Sequence, residues 1–196
     1  MRDSLPSTQM IDVGELALPK LDRALPSGQE FAAIYHREFA YVWHTLRRLG
    51  VPHRELADVA QNVFIIVYSR FDFYDPSRPL RPWLFGVSFR VAADYMRLAR
   101  HAREMVRDDI EVAYGGPAAD EVMAQHEEET ILREALQAID LDRRAVLVAH
   151  DFDGTTGPDI AEALGIPLKT MYYRLRTGRE QFIAAVRRIQ ARQRCR

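Results

Sequence analysis

Cationic, aromatic and hydroxyl side chains are concentrated in one stretch near the carboxy end of the sequence. The segment GIPLKTMYYRLRTGREQF, residues 165–182, carries two adjacent tyrosines and four cationic side chains. Arginine can pair bidentately with guanine, while threonine and tyrosine offer hydroxyls to phosphates and apolar contact to thymine methyls. The stretch therefore indicates a helix that binds nucleic acid. A solvated amphipathic helix whose tyrosines pack on a neighbouring element is the alternative that the composition leaves open.

The small and apolar residues around this stretch have the spacing of a helix-turn-helix. Ala161 is small where two helices must touch, and Gly165 tolerates the positive φ of a sharp turn. An apolar stripe recurs on the second helix at about 100° per residue: Met171, Leu175, Gly178 and Phe182. The residues predicted to read DNA lie opposite and beside this stripe: Lys169, Thr170, Tyr172, Tyr173, Arg174, Arg176, Thr177 and Arg179.

Charge is unevenly distributed along the 196 residues, although the formal net charge is only −1. Residues 78–107 hold seven arginines against two carboxylates, and residues 169–196 hold nine cationic side chains against one. Between these two basic regions, residues 104–129 carry nine acids and one arginine. The small net charge argues against a nonspecific polycation, and two basic regions joined by an acidic span are a pattern that the function has to explain.

The sequence favours a soluble protein of the reducing cytoplasm. Cys195 is its only cysteine, so no disulfide framework is possible. The longest apolar run, residues 63–68, is too short to span a bilayer, and the amino terminus lacks the apolar core of a secretory signal. We therefore expect a cytoplasmic location and no membrane insertion.

Hydrophobic periodicity predicts an all-α fold. Residues 1–28 show no sustained period and are predicted to form a flexible extension. Helices are expected from Phe31 to the GVP sequence at residues 50–52, from Leu56 to about Phe71, and from Pro82 to about Arg103. After an acidic linker at residues 104–129, the helical period resumes at Thr130, with short helices around Gly165. The prediction is two small helical domains, residues 29–103 and 130–196, joined by the flexible linker.

Two long segments resemble one known family, the extracytoplasmic-function sigma factors of RNA polymerase. LADVAQNVFIIVYSRF and RPWLFGVSFRVAADYMRLARHAR, separated by a loop rich in aromatic residues and proline, resemble region two of that family. LREALQAIDLDRRAVLVAHDFDGTTGPDIAEALGIPLKTMYYRLRTGRE resembles region four. Both segments occur in the family's order with a linker between them. The resemblance implies a promoter-specificity subunit without catalytic activity of its own.

The resemblance assigns roles to residues in the amino-terminal part. Residues matching the helix that contacts the β′ clamp helices of core polymerase are Asp58, Gln61, Asn62, Phe64 and Tyr68. Other residues match the surface that, in this family, binds the −10 promoter element and captures an unstacked base of the melted strand. They are Phe73, Tyr74, Arg78, Arg81, Arg90, Arg97 and Arg100. Aromatic rings and guanidinium planes suit this role because they stack on any unpaired base. Trp83 is expected in the core rather than in contact with DNA.

Further partners also follow from the resemblance: the polymerase β flap, promoter DNA and an anti-sigma factor. The acidic linker would thread toward the polymerase cleft, where its carboxylates either mimic nucleic acid or act as a solvated spacer. The chain departs from the family at Arg90, which stands where asparagine is usual, at Asn62 and Asp159, and in KTMYYRL. These departures do not change the expected fold. They do mean that the family's sequence preference at the −35 promoter element is not expected to carry over to this chain.

Other functions are less well supported by the residues. DFDGTTGPDIAE, residues 151–162, imitates a calcium loop, but its glycines fall at the fourth and seventh places rather than the sixth. The six histidines show no paired ligand spacing, and no phosphate-cradling loop or nucleophile elbow occurs. No metal, cofactor or small-molecule substrate is expected. A free-standing helix-turn-helix regulator with a sensing or dimerising domain remains the alternative, and a small helical enzyme is a weaker one.

Overall fold

Seven α-helices form the regular framework of residues 26–105 and 123–194, the parts of the chain that the computed structural model describes. They are α1 (Gly28–Leu49), α2 (Leu56–Ser69), α3 (Leu80–Met105), α4 (Met123–Gln137), α5 (Leu141–Leu147), α6 (Gly157–Leu164) and α7 (Leu168–Arg194). Short 3-10 turns occupy His53–Glu55 and Phe71–Phe73, and a π-helical turn at Val148–Phe152 extends α5. No strand occurs among these residues, so the all-α prediction is confirmed.

The start of α1 lies earlier than the predicted start at Phe31. The Ser27 side chain accepts a hydrogen bond from the Glu30 amide, while the Glu30 carboxylate accepts one from the Ser27 amide at 2.9 Å. This reciprocal pair satisfies two amides that the first turn of a helix leaves without partners. SGQE, residues 27–30, is therefore a helix-start signal that overlaps the end of the segment predicted as a flexible extension. Residues 1–25 of that extension lie outside the described part of the chain.

The amino-terminal half, α1 to α3, packs its helices around a shared apolar core. Large side chains that are fully buried there include Leu46, Leu49, Leu56, Val63, Val67, Leu84 and Phe85. Burying one such side chain contributes about 1.5–3 kcal/mol. Trp83 is also buried, as predicted. The third helix begins at Leu80 rather than Pro82, because a proline in the first turn removes only an amide that has no helical partner.

The acidic segment is shorter than predicted, because α4 begins at Met123 rather than Thr130. Methionine, alanine, glutamine and glutamate favour helices, and no glycine or proline follows Pro117 in this segment. The linker prediction is therefore wrong for residues 123–129, which belong to α4. Residues 106–122 lie outside the described part of the chain.

The predicted helix-turn-helix is formed by α6 and α7. The Thr156 side chain caps α6, and Gly165 ends it in the left-handed conformation at φ 66°. Ile160 and Ala161 are buried against α7, where Met171, Leu175 and Gly178 are also buried. The prediction of short helices on both sides of the turn is wrong for α7, which continues for 27 residues to Arg194.

The amino-terminal half and the carboxy-terminal half, α4 to α7, bury their apolar side chains in one continuous cluster. Arg144 of α5 is only 7% exposed and joins the halves. Its Nη1 donates to the Leu49 carbonyl at 2.6 Å, and its Nη2 donates to the Ile139 carbonyl at 2.7 Å and the Gln137 carbonyl at 3.3 Å. Leu49 and Gln137 end α1 and α4, where a cation interacts favourably with the helix dipoles.

Candidate functional surfaces

The amino-terminal part of α7 presents a cationic and aromatic face opposite its buried stripe. Lys169, Tyr173 and Arg176 are exposed there, and the Tyr173 side chain is 58% exposed. Arg176 has only a loose ion pair with Glu180, at 3.5 Å between two exposed side chains. Such a pair contributes little to stability, so Arg176 can turn toward a ligand at small cost. We call these three residues the reading face.

Tyr172 lies beside the reading face but also contacts α6. A Cβ atom placed on Gly157 would lie 2.8 Å from the Tyr172 hydroxyl oxygen and 2.5 Å from Met171 Cε. The Tyr172 ring therefore packs on the start of α6. For this tyrosine, the alternative prediction of packing on a neighbouring element holds in part. Tyr172 remains half exposed, and the neighbouring Thr170 is partly buried.

The other polar residues predicted to read DNA have partners within the carboxy-terminal half. The Arg174 guanidinium donates to Asp142 at 2.6 Å, and the Thr177 hydroxyl donates to the Tyr173 carbonyl at 3.0 Å. Arg179 donates to Asp151 at 2.7 Å and 2.5 Å. These bonds from Arg179 hold the pKa of Asp151 below its ordinary value, despite partial burial. A phosphate contact by Arg174 or Arg179 would have to replace an existing ion pair.

The exposed side of α2 combines polar and apolar side chains. Asp58, Gln61 and Tyr68 are exposed, Tyr68 also packs edge-on against Phe31 at 4.9 Å, and Asn62 is half-buried. Ile65 lies on the same side and is 57% exposed, although the sequence prediction did not include it. Its position four residues after Gln61 and seven after Asp58 was the available signal. We call Asp58, Gln61, Ile65 and Tyr68 the α2 stripe.

Phe64 does not belong to that surface, which corrects the sequence prediction. Its side chain is 3% exposed and packs against Tyr35 at 4.7 Å and Phe39 at 6.3 Å between ring centroids. A residue enclosed on all sides has no area to offer a partner without unfolding α2 from α1. Phe64 therefore contributes to the core.

The predicted loop at residues 71–82 ends at Pro79 in the structure, because Leu80 begins α3. The predicted capture residues Phe73, Tyr74 and Arg78 lie within it. The Tyr74 ring packs at a tilt against Trp83, with ring centroids 5.4 Å apart, and its hydroxyl donates to the Arg78 carbonyl at 2.7 Å. Phe73 is half-buried and Arg78 is exposed. The Arg78 guanidinium forms an ion pair with Glu162 of α6 in the carboxy-terminal half. The loop thus already has an acidic partner in this structure.

The basic residues of α3 differ in accessibility. Arg81 donates to Glu38 at 3.0 Å and covers the Tyr41 ring at 5.0 Å. Burial raises the pKa of Glu38, but hydrogen bonds from Arg37 and Arg81 outweigh it and leave that pKa below its ordinary value.

Farther along α3, Arg90 is partly buried, and its Nη2 donates to the Ala163 carbonyl of α6 at 3.1 Å. Arg97 and Arg100 are exposed, with Arg97 bonded to Asp94 at 3.0 Å. Arg97 and Arg100 are therefore accessible, as is the exposed Arg81, whereas Arg90 faces the carboxy-terminal half.

The calcium-like loop uses its first two acids in ion pairs between helices. Asp151 binds Arg179, and Asp153 binds Arg48 of α1 at 3.2 Å. Burial raises the pKa of Asp153, although the Arg48 charge opposes that shift. Within residues 26–105 and 123–194 no side chains gather into a group able to hold a metal ion, and no helix has the length and apolar character needed to cross a membrane.

Comparison with known proteins finds similarity to sigma factors of RNA polymerase. Residues 129–182 match the family model described as Sigma-70, region 4. The RNA polymerase sigma factor NccH of Alcaligenes xylosoxydans xylosoxydans is 26% identical over 88% of this chain and 98% of its own length. The ECF RNA polymerase sigma factor SigW of Bacillus subtilis is 30% identical over 68% of this chain and 76% of its own length.

A solved structure supports the same fold. The sigma factor RpoE of Bartonella quintana, in complex with the anti-sigma factor NepR, superposes with a TM-score of 0.61. It is 17% identical, and the match covers 81% of this chain and 98% of that one. The chain belongs to the extracytoplasmic-function (ECF) sigma factors of RNA polymerase. The comparisons thereby confirm the sigma-factor interpretation over a free-standing regulator.

Proposed function

We propose that this sigma factor binds core RNA polymerase through the α2 stripe and promoter DNA through two surfaces. The reading face of α7 enters the major groove of the −35 element, and the loop at residues 71–79 with α3 binds the −10 element. The proposal rests chiefly on one observation. In a chain of this family, Lys169, Tyr173 and Arg176 are exposed on a helix whose opposite side is fixed in the core.

Several consequences follow from this function. The protein acts in the cytoplasm, where polymerase and promoters are, and catalyses no reaction itself. Its contacts on core polymerase are the β′ clamp helices and the β flap. An anti-sigma factor is a further expected partner, since a relative of the same fold is known in complex with one. The proposed organisation assigns −10 and polymerase binding to residues 29–103 and −35 binding to residues 130–196, with α4 extending the second unit back to Met123.

The direct test is transcription in vitro with purified core polymerase, this protein and fragmented genomic DNA. We expect defined start sites that depend on the protein, because a sigma factor supplies promoter recognition to the core enzyme. A free-standing regulator would instead bind a duplex alone and leave core polymerase without new start sites. That second result would refute the proposal.

Removing the centre of the α2 stripe should weaken polymerase binding. The double substitution Gln61→Ala and Ile65→Ala takes away one polar and one apolar contact at an interface, for an expected loss of about 1–2 kcal/mol. The measurement is the dissociation constant for core polymerase, with circular dichroism to check folding. Ile183→Ala is the matched control, because Ile183 is a similarly exposed isoleucine on α7. An unchanged dissociation constant in the folded double variant would rule out the stripe.

Replacing Phe73 with leucine and Arg78 with alanine should impair promoter melting. An aromatic ring and a guanidinium plane can hold an unstacked base, at about 1–3 kcal/mol per base. Open-complex formation on duplex promoters should therefore fall, as measured by permanganate reactivity. A template with a pre-melted bubble should restore only part of the signal, because the captured base still lacks its stack. Wild-type permanganate reactivity of the double variant on duplex promoters would show that the loop only connects α2 to α3.

Changing the reading face should alter −35 sequence preference. If Arg176 pairs with guanine, Arg176→Ala should cost about 1–3 kcal/mol and relax the preference at one base pair. Tyr173→Ala should shift base preference without lowering the melting temperature, because the side chain lies opposite the buried stripe. The measurement is selection from promoters with a randomised −35 element, using the polymerase complex. Arg187→Ala, an exposed arginine farther along α7, is the control. Wild-type motifs from both variants would refute the assignment.

A further inference from the structure

Helices α1 and α4 line a cavity of about 200 Å³. The residues that line it recur at intervals of three and four positions on each helix, so one face of each helix forms a wall. Arg47 and Arg48 come from α1, and Glu129 and Arg133 come from α4. The cavity therefore brings three guanidinium groups and one carboxylate together. We call it the α1–α4 cavity.

Arg133 brings an unpaired cation to this cavity. Glu129 precedes it by four positions on α4, a spacing at which glutamate and arginine often form an ion pair. Glu129 instead accepts a hydrogen bond from Arg47 of α1 at 2.8 Å. Arg133 forms no hydrogen bond or ion pair with the residues that the structure describes. Its five N–H donors are therefore free to bind a ligand.

The other two guanidinium groups are held by carboxylates in different ways. Arg48 donates to Asp153 at 3.2 Å, and the Asp153 side chain is only 6% exposed, so this arginine is fixed in place. Its remaining N–H groups can still donate. Arg47 and Glu129 both have exposed side chains, and an ion pair of that kind contributes little to stability. Arg47 can therefore exchange Glu129 for a ligand at small cost.

These groups suit a phosphate better than a carboxylate. A carboxylate has two oxygens in one plane and a single charge, whereas a phosphomonoester has three terminal oxygens and up to two charges. Donors that approach from both α1 and α4 can therefore pair with different oxygens of one phosphate. The three guanidinium groups also outnumber the Glu129 carboxylate, so the cavity favours an anion.

The rest of the cavity is apolar and small. Leu132 and Leu136 of α4 line it, and a ring or short chain can pack on them. Sites for drug-sized molecules have volumes of about 300–1,000 Å³, so this cavity suits a smaller ligand, such as a phosphate on a single ring. A DNA duplex presents its phosphates on a continuous convex surface, which a recess of this size does not accommodate.

We propose that the α1–α4 cavity binds a small phosphomonoester whose body is apolar or aromatic. The phosphate pairs with Arg47, Arg48 and Arg133, and the body lies on Leu132 and Leu136. This inference goes beyond the proposed function, because none of these residues belongs to the α2 stripe, the reading face or the loop at residues 71–79.

The first measurement is the affinity of the full chain for three probes: phenyl phosphate, inorganic phosphate and benzoate. Nuclear magnetic resonance titration suits weak ligands, and the arginine Nε–H signals report the guanidinium groups directly. The ionic strength is kept constant, because salt screens exposed charges. We expect phenyl phosphate to bind about tenfold more tightly than inorganic phosphate, the gain from burying roughly 60 Å² of apolar surface.

Benzoate tests the choice of phosphate over carboxylate. It carries the same ring as phenyl phosphate but only a planar, singly charged group, so we expect it to bind more weakly. Benzoate that binds as tightly as phenyl phosphate would overturn the assignment of a phosphate site. The absence of any response to phenyl phosphate would overturn the inference as a whole.

Two substitutions should change the affinity for phenyl phosphate in opposite directions. Arg133→Ala should weaken it about tenfold, because charge-assisted hydrogen bonds are lost. Arg133→Lys should recover only part of the loss, since lysine keeps the charge but not the planar fork. Glu129→Gln should strengthen binding about fivefold, because it removes a negative charge beside the phosphate.

Each substitution has a control that keeps the same chemistry away from the cavity. Arg187→Ala removes an exposed arginine of α7, and Glu134→Gln changes an exposed glutamate of α4. Both controls should bind phenyl phosphate like the wild type. Wild-type affinity in both Arg133→Ala and Glu129→Gln would place the bound phosphate elsewhere on the protein and overturn the inference.

A nucleic-acid backbone is the other source of phosphate groups. We expect Arg133→Ala to bind a short DNA duplex like the wild type and, with core polymerase, to give the same start sites. A loss of duplex affinity as large as the loss for phenyl phosphate would assign Arg133 to DNA binding instead of a small ligand. The proposed function is judged by the start sites of the wild type, so either idea can fail without the other.

Discussion

Replacing Phe64 with alanine should lower the free energy of unfolding by about 3–5 kcal/mol, the usual cost of removing a buried phenylalanine ring. The ring lies 4.7 Å from Tyr35 and 6.3 Å from Phe39, and its side chain is 3% exposed. Alanine would leave a cavity between α1 and α2 that rigid helices fill only in part. The measurement is urea unfolding followed by circular dichroism.

The neighbouring residue provides the matched control. Ile65→Ala should change the free energy of unfolding by no more than about 0.5 kcal/mol, because the isoleucine is largely in solvent. Ile65→Ala should weaken polymerase binding, whereas Phe64→Leu should keep it and lose less stability than Phe64→Ala. If Phe64→Ala unfolds like the wild type but binds polymerase poorly, Phe64 belongs to the polymerase-binding surface after all.

The contrast between Phe64 and Ile65 shows where sequence patterns stop being informative. Residues 63–67 are all apolar, so the run itself does not separate exposed from buried members. The helical period that starts at Leu56 places Phe64 inward, whereas the family resemblance assigned it to the polymerase surface. Tyr35 and Phe39 of α1 pack against Phe64, which is buried together with Val63 and Val67, whereas Ile65 is exposed. The helix-turn-helix was predictable for the opposite reason. Its apolar stripe, its turn glycine and its cationic face all lie within one short stretch of chain.

Contacts between the two halves had no comparable signal in the sequence. Arg78 and Glu162 are 84 positions apart, and Arg90 and Ala163 are 73 apart, so no local spacing relates them. Residues 123–129 carry two opposing signals. Their acids indicate a solvated linker, but the helix propensity of the same residues favours α4, and the structure has the helix. The roles of the arginines on either half therefore depend on tertiary contacts as well as on their positions in the chain.

Replacing Arg144 with methionine should lower the free energy of unfolding by about 3–5 kcal/mol. Hydrogen bonds from a charged donor contribute about 1.5–3 kcal/mol each, and Arg144 donates to three carbonyls near the ends of α1 and α4. Methionine keeps much of the apolar volume, so the loss reports the missing donors rather than a cavity. Burial lowers the pKa of Arg144, yet an arginine remains charged at any ordinary pH. The expected loss is therefore nearly independent of pH between neutral and mildly alkaline conditions.

The control for Arg144 is Arg133→Met, an exposed arginine on α4, which should change stability by no more than about 0.5 kcal/mol. Arg144→Lys should recover only part of the loss, because an ammonium group is too compact to reach carbonyls on both sides as the guanidinium fork does. Unfolding would be measured with urea and two probes: far-UV circular dichroism and tryptophan fluorescence, since Trp43 and Trp83 both lie in the amino-terminal half. If Arg144 joins the halves, both probes should shift together to lower urea. A shift in circular dichroism alone would mean that Arg144 stabilises only the carboxy-terminal half and that the two halves unfold independently.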